Sequence, residues 1–153
     1  MANTILFRDS LVAALDGLAR EVSAFAREED LWTVSGSVSN SAGTLTLHLI
    51  GNMNHFIGAA LGNTGYVRDR TAEFGQRDVP RHVLLSNISE VRDQVFSTFE
   101  NLNDASLATI YPLTTFGENR TTMYVLLTLC SHASYHLGQV NYLRRTLDGA
   151  SNG

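Results

Sequence analysis

Residues 121–147 read TTMYVLLTLCSHASYHLGQVNYLRRTL, long enough for one extended helix and free of proline. At about 100° per residue, Val125, Leu129, His132, His136, Gln139 and Leu143 share one face. The apolar members turn that face towards a protein interior, so a long buried helix is expected from about Thr121 to Leu147. His132 and His136 lie four apart, which stacks their rings and is the spacing by which one helix offers two ligands to one ion. Buried imidazoles cost several kcal/mol unless a metal or hydrogen-bond partners satisfy their nitrogens. The alternative is a pair of core-edge histidines bonded to backbone carbonyls or carboxylates.

Three more helices precede this one. Phe7, Leu11, Leu15, Leu18, Val22 and Phe25 recur at intervals of three and four, which predicts helix one over about Thr4–Glu28. The run Ser35–Ser41 favours turns, and Asn40 or Ser41 can cap helix two, expected from about Thr44 to Leu61 and closed by Gly62-Asn63. Helix two is apolar on several sides, so deep burial is expected. Residues 64–79, rich in charge and without an apolar period, predict a long connection. Asp78 and Pro80 then offer a cap and a first-turn proline for helix three, about Arg81–Leu102, whose inward stripe is Val83 or Leu84, Ile88, Val91, Val95 and Phe99. The link Asn103–Asn119 contains an extended run, Leu107–Thr115, broken by Pro112 and Gly117. The expected fold is all-α, a four-helix bundle with a long crossover between helices two and three, in a single domain over residues 1–150.

Composition narrows the function. The 153 residues are 44% hydrophobic and 17% charged, as in an ordinary globular protein. A net charge of -4 argues against nucleic acid as a partner, since phosphate binding needs clustered basic residues. All eleven basic residues are arginine, so lysine Schiff-base chemistry is excluded. Cys130 is the sole cysteine, which excludes an intrachain disulfide and Cys-x-x-Cys chemistry. Arg8, Asp9 and Asp16 interrupt the N-terminal apolar positions, so no signal peptide is expected, and no run has the roughly 18 apolar residues of a membrane span. A cytoplasmic protein with no membrane partner is the expectation.

A third metal ligand must come from another helix. His48 and His55 share a stripe of helix two with Asn52, but lie about 10 Å apart along the axis, so only one can join His132 and His136. Periodicity leaves the choice open. Asn52 and Gln139, one turn from candidate ligands, can orient a ligand or substrate or simply make helix-face hydrogen bonds. Cys130 sits about 160° around its helix from His132 and is expected to pack, with Leu126 and Leu137, on a neighbouring helix or another subunit, which makes a homodimer the expectation. Arg68 and Arg70 can receive an anionic substrate or pair with Asp69, Glu73 or other acids. Tyr135 can reach the pair or pack, and His82 is expected in solvent.

The phrases Asn40–Asn52 and His132–Val140 resemble the two signature segments of the DinB-like superfamily of four-helix metal-binding proteins. The resemblance extends over nearly the whole chain, with Thr64–Arg70 similar to a branch whose function is uncharacterised. It implies a divalent ion, nickel or zinc, held by one histidine of helix two and two of helix four, which selects His48, His132 and His136 and leaves His55 out. Relatives include thiol-dependent transferases and isomerases that use bacillithiol or mycothiol. The leading expectation is a metal-dependent transferase or hydrolase acting on a small-molecule substrate, with the ion activating water or a low-molecular-weight thiol. The alternative is a non-catalytic metal- or small-molecule-binding stress protein or a dimeric scaffold. No second catalytic group stands out in the sequence.

Overall fold

The structure, a computed structural model, describes residues 3–150. It is an all-α bundle, with no strand among the described residues. Helix α1 spans Asn3–Ala24 and buries Leu11, Leu15, Leu18 and Val22. It stops four residues short of the expected Glu28, because the Ala26 N–H donates to Asp148 Oδ1 at 3.1 Å instead of back into the helix. A 3-10 turn, Glu28–Trp32, follows, held by two Arg27–Asp30 hydrogen bonds of 3.0 and 2.9 Å.

Helix α2 begins as Ala42–Met53, capped by Ser41, whose Oγ accepts from Thr44 N at 3.1 Å. Every residue of this stretch is buried, as its all-round apolar character predicts. The helix then departs from the expected regular path. Asn54–Ala59 is π-helical, and only Ala60–Gly62 returns to α geometry before Asn63 closes the helix in the left-handed conformation at φ 51°. Two groups from outside hold the wide turn: the Tyr111 hydroxyl donates to Phe56 O at 2.6 Å, and Thr64 N–H donates to Gly58 O at 3.2 Å.

The long connection contains a helix that sequence periodicity does not reveal, α3, Arg70–Gly75. Asp69 caps it, accepting from Ala72 N at 2.8 Å. Helix α4, Arg81–Glu100, buries Leu84, Ile88, Val91, Val95 and Phe99, the expected stripe. Its start differs from expectation: Pro80 is the cap residue, Asp78 lies at φ 57° with no capping role, and the Arg81 N–H is taken by Glu28 Oε1 at 2.8 Å. The next link is irregular, with a 3-10 turn at Ser106–Ala108 and one isolated bridge, Ile110 to Thr121. Helix α5, Thr122–Ala150, completes the bundle.

Helix α1 packs on α4 and α5, and α2 lies against the same two from the other side. Gly17 of α1 allows close approach, since a Cβ there would meet Leu137 of α5 at 2.7 Å. Ion pairs Asp16–Arg92 (2.8 Å) and Glu21–Arg144 (2.6 Å) tie α1 to α4 and α5. Cys130 and Leu137 face α1 and Leu126 is buried in the core, so that stripe packs within the chain. No helix among the described residues is long and apolar enough to cross a membrane.

Candidate metal centre

His48 of α2 and His132 and His136 of α5 come together where the two helices face each other, their ligand atoms all within 4.8 Å of one another. His132 Nε2 lies 3.2 Å from His48 Nε2 and 3.1 Å from His136 Nε2. Nitrogens about 2.0–2.1 Å from a shared ion stand roughly 2.9 Å apart at octahedral angles and 3.4 Å at tetrahedral ones. The two separations from His132 fall between, so His132 Nε2 stands from each of the other two as one ligand of an ion stands from another, and the whole set lies within 4.8 Å.

The outer nitrogens show which atoms carry lone pairs. His48 Nδ1 lies 3.0 Å from Glu73 Oε2, and a carboxylate only accepts, so Nδ1 carries the proton and Nε2 the lone pair. His136 Nδ1 lies 2.6 Å from Gln139 Oε1, again an acceptor, with the same result. Two lone pairs therefore point at His132 Nε2, whose one possible proton cannot serve both well. His132 Nδ1 is buried without a hydrogen-bond partner. Two converging lone pairs with at most one proton to share between them are what a cation resolves.

Over residues 8–152 the sequence matches DUF1572, a family described as protein of unknown function. The chain belongs to the DUF1572 family. No curated protein matches it.

In this DUF1572 chain the histidines are held from outside by a clamp that sequence reasoning missed. Glu73 is buried, and besides His48 it receives Arg68 Nε at 2.6 Å and Nη2 at 2.8 Å. The room for it comes from Gly51, where a Cβ would collide with Glu73 Oε1 and approach its Cδ to 2.6 Å. Arg68 is thus engaged by Glu73, the ion-pair reading of the two expected for it. The available signal was Asp69 as a cap with Glu73 in the first turn behind it. Phe74, next along α3, places its ring 5.0 Å from that of His48.

Electrostatics favour neutral rings at His132 and His48. Burial, then the neighbouring His136 and His48 and the Arg68 and Arg70 charges, pull the His132 pKa down to about 4. Burial also lowers that of His48, partly opposed by Glu73. Burial pushes the Glu73 carboxyl up, but the Arg68 and His48 hydrogen bonds outweigh it and leave it below its ordinary value. Neutral His48 and His132 imidazoles, with Glu73 ionised behind His48, are ready ligands near pH 7.

The three nitrogens open onto a cavity of about 450 Å³. Phe56, Phe74 and Phe116 form aromatic walls, and Asn52 and Arg70 line it as well. Of the remaining candidates, Gln139 orients His136, and its Nε2 donates to the exposed Tyr135 hydroxyl at 3.3 Å. His55 lies in the π-helical turn, its ring against Phe56, outside the cluster. His82 is exposed, as expected. Cys130 points to α1, its Sγ 4.0 Å from Phe7 O, with burial raising its pKa, and takes no part in the site.

Proposed function

We propose that His48, His132 and His136 hold a divalent ion, nickel or zinc, in an open three-nitrogen site, and that this is the reactive centre of a DinB-like enzyme of the thiol-transferase or hydrolase type. The observation that carries the reading is the clustering of the three Nε2 atoms beside a cavity, that of His132 within 3.2 Å of each of the others, with Nδ1 of His48 and of His136 already engaged by acceptors. Three neutral imidazoles leave coordination positions open, and an ion bound there supplies the Lewis acidity that makes a water or a low-molecular-weight thiol nucleophilic near neutral pH. Glu73 accepts the His48 Nδ1 proton and fixes the ring plane, Arg68 holds Glu73 ionised, and Gln139 does for His136 what Glu73 does for His48. Phe56, Phe74 and Phe116 give the site apolar walls.

Metal content of untagged protein tests the proposal directly. Near-stoichiometric nickel or zinc, lost in His132→Ala with the helical fold retained, is the expected result, together with thiol consumption on an electrophile panel. Bound metal without turnover across the panel supports a binding protein instead, and no metal at all refutes the centre.

A further inference from the structure

We infer that the cavity takes an anionic small molecule, with a carboxylate-like group held at the rim by Arg70 and a polar head met by Asn52 beside the three nitrogens; this rests on the metal reading above. The charge arrangement points there first. The ligands are uncharged, so an ion keeps its full positive charge. Among the described residues lining the cavity there are two arginines and no carboxylate. Arg68 is neutralised by Glu73 behind the wall, whereas Arg70 makes no ion pair among the described residues and rests over the Phe74 ring with its guanidinium 5.0 Å from the centroid. The charges of the ion and of Arg70 therefore stand uncompensated across a part-apolar cavity, which favours a guest that brings negative charge.

Asn52 is the second, independent observation. The residue is 6% exposed and lines the cavity, and its amide makes no hydrogen bond among the described residues. The amide is not among the enclosed unpartnered groups, so it faces the cavity space itself, where a ligand oxygen or N–H can take it up in place of solvent. Asn52 lies one turn beyond His48 on α2, so a ligand atom bonded to its amide would lie close to the histidine cluster. The aromatic walls between the two polar ends suit an apolar or unsaturated body.

Hydroxamates with a terminal carboxylate, in a short homologous series, matched against the same compounds with a terminal carboxamide, serve as probes. Binding to zinc-loaded full-length protein is read by calorimetry, with zinc content measured on every sample. At the best chain length the carboxylate is expected to bind about tenfold tighter than its carboxamide partner, the effect of one charge-assisted hydrogen bond. Arg70→Gln is expected to remove most of that preference without changing zinc content or carboxamide affinity. Asn52→Leu is expected to weaken both members of a pair alike. Zinc bound with no carboxylate preference at any length, or a preference that survives in Arg70→Gln, overturns this inference alone. Protein that holds no zinc overturns the metal reading and this inference with it.

Discussion

Adding one methyl group at Gly51 should disable the centre without touching a ligand. In Gly51→Ala the new Cβ would occupy space held by the Glu73 carboxylate, 2.6 Å from its Cδ. Glu73 cannot shift without losing its hydrogen bonds to Arg68 (2.6 and 2.8 Å) and His48 (3.0 Å). Removing glycine from a helix interior stabilises by about 1 kcal/mol. Disrupting a buried ion pair costs about 3–5 kcal/mol. The second effect wins, leaving a net loss of roughly 2–4 kcal/mol and a fall in melting temperature on the order of 5–10 °C. With His48 no longer oriented, zinc affinity should fall about 10–100-fold. Competition with a chromophoric chelator reads the affinity, and thermal melting of the metal-free chain reads the stability. Glu73→Gln, which removes the charge without the added methyl, should share the affinity loss. If Gly51→Ala melts at or above the parent and competes for zinc equally well, the Glu73 clamp is not what orients His48.

Acid should destabilise the metal-free protein over a defined window. The folded His132 pKa of about 4 lies below its ordinary 6.5, so below pH 6.5 the unfolded chain binds the proton first. The contribution is complete above pH 6.5 and is lost as pH falls towards 4; with partial exposure it amounts to on the order of 1–2 kcal/mol. His48 acts in the same direction. Melting curves across that range should flatten in His132→Gln, and an unchanged slope would contradict the assignment. Tyr111→Phe removes the 2.6 Å bond to Phe56 O and leaves a buried carbonyl unpaired, so the urea midpoint should drop by the equivalent of about 1–3 kcal/mol with an unchanged m-value. An unaltered midpoint would show that the π-helical turn does not depend on that hydroxyl.

What could be read from the residues alone follows from length and period. Helices α1, α2, α4 and α5 each bury a stripe long enough to show its repeat, so Leu11, Leu15, Leu18 and Val22, or Leu84, Ile88, Val91 and Val95, announce themselves. The six residues of α3 are too few to show a period, and the charges around them resemble a solvated link. Glu73 looks like Asp69 or Asp78 in sequence, because its burial comes from a glycine twenty-two positions earlier. The four-residue spacing of His132 and His136 marks the pair directly, whereas His48 and His55 share a stripe and periodicity cannot rank them. Nor does the composition of Asn54–Ala59 distinguish a π turn from an ordinary helix, since its partner hydroxyl lies far along the chain at Tyr111.

The wide turn at Asn54–Ala59 gives α2 two angular phases. Absorbing an extra residue there sets the helix back by about 100° relative to an unbroken one. The N-terminal part keeps His48 and Asn52 towards the cavity, while Gly58 at the end of the turn and Gly62 beyond it nestle against Gln94 and Thr98 of α4. Each half can thus adjust to its own neighbours without rotating the other, so the chemistry of the ligand-bearing half and the packing of the distal half can drift independently.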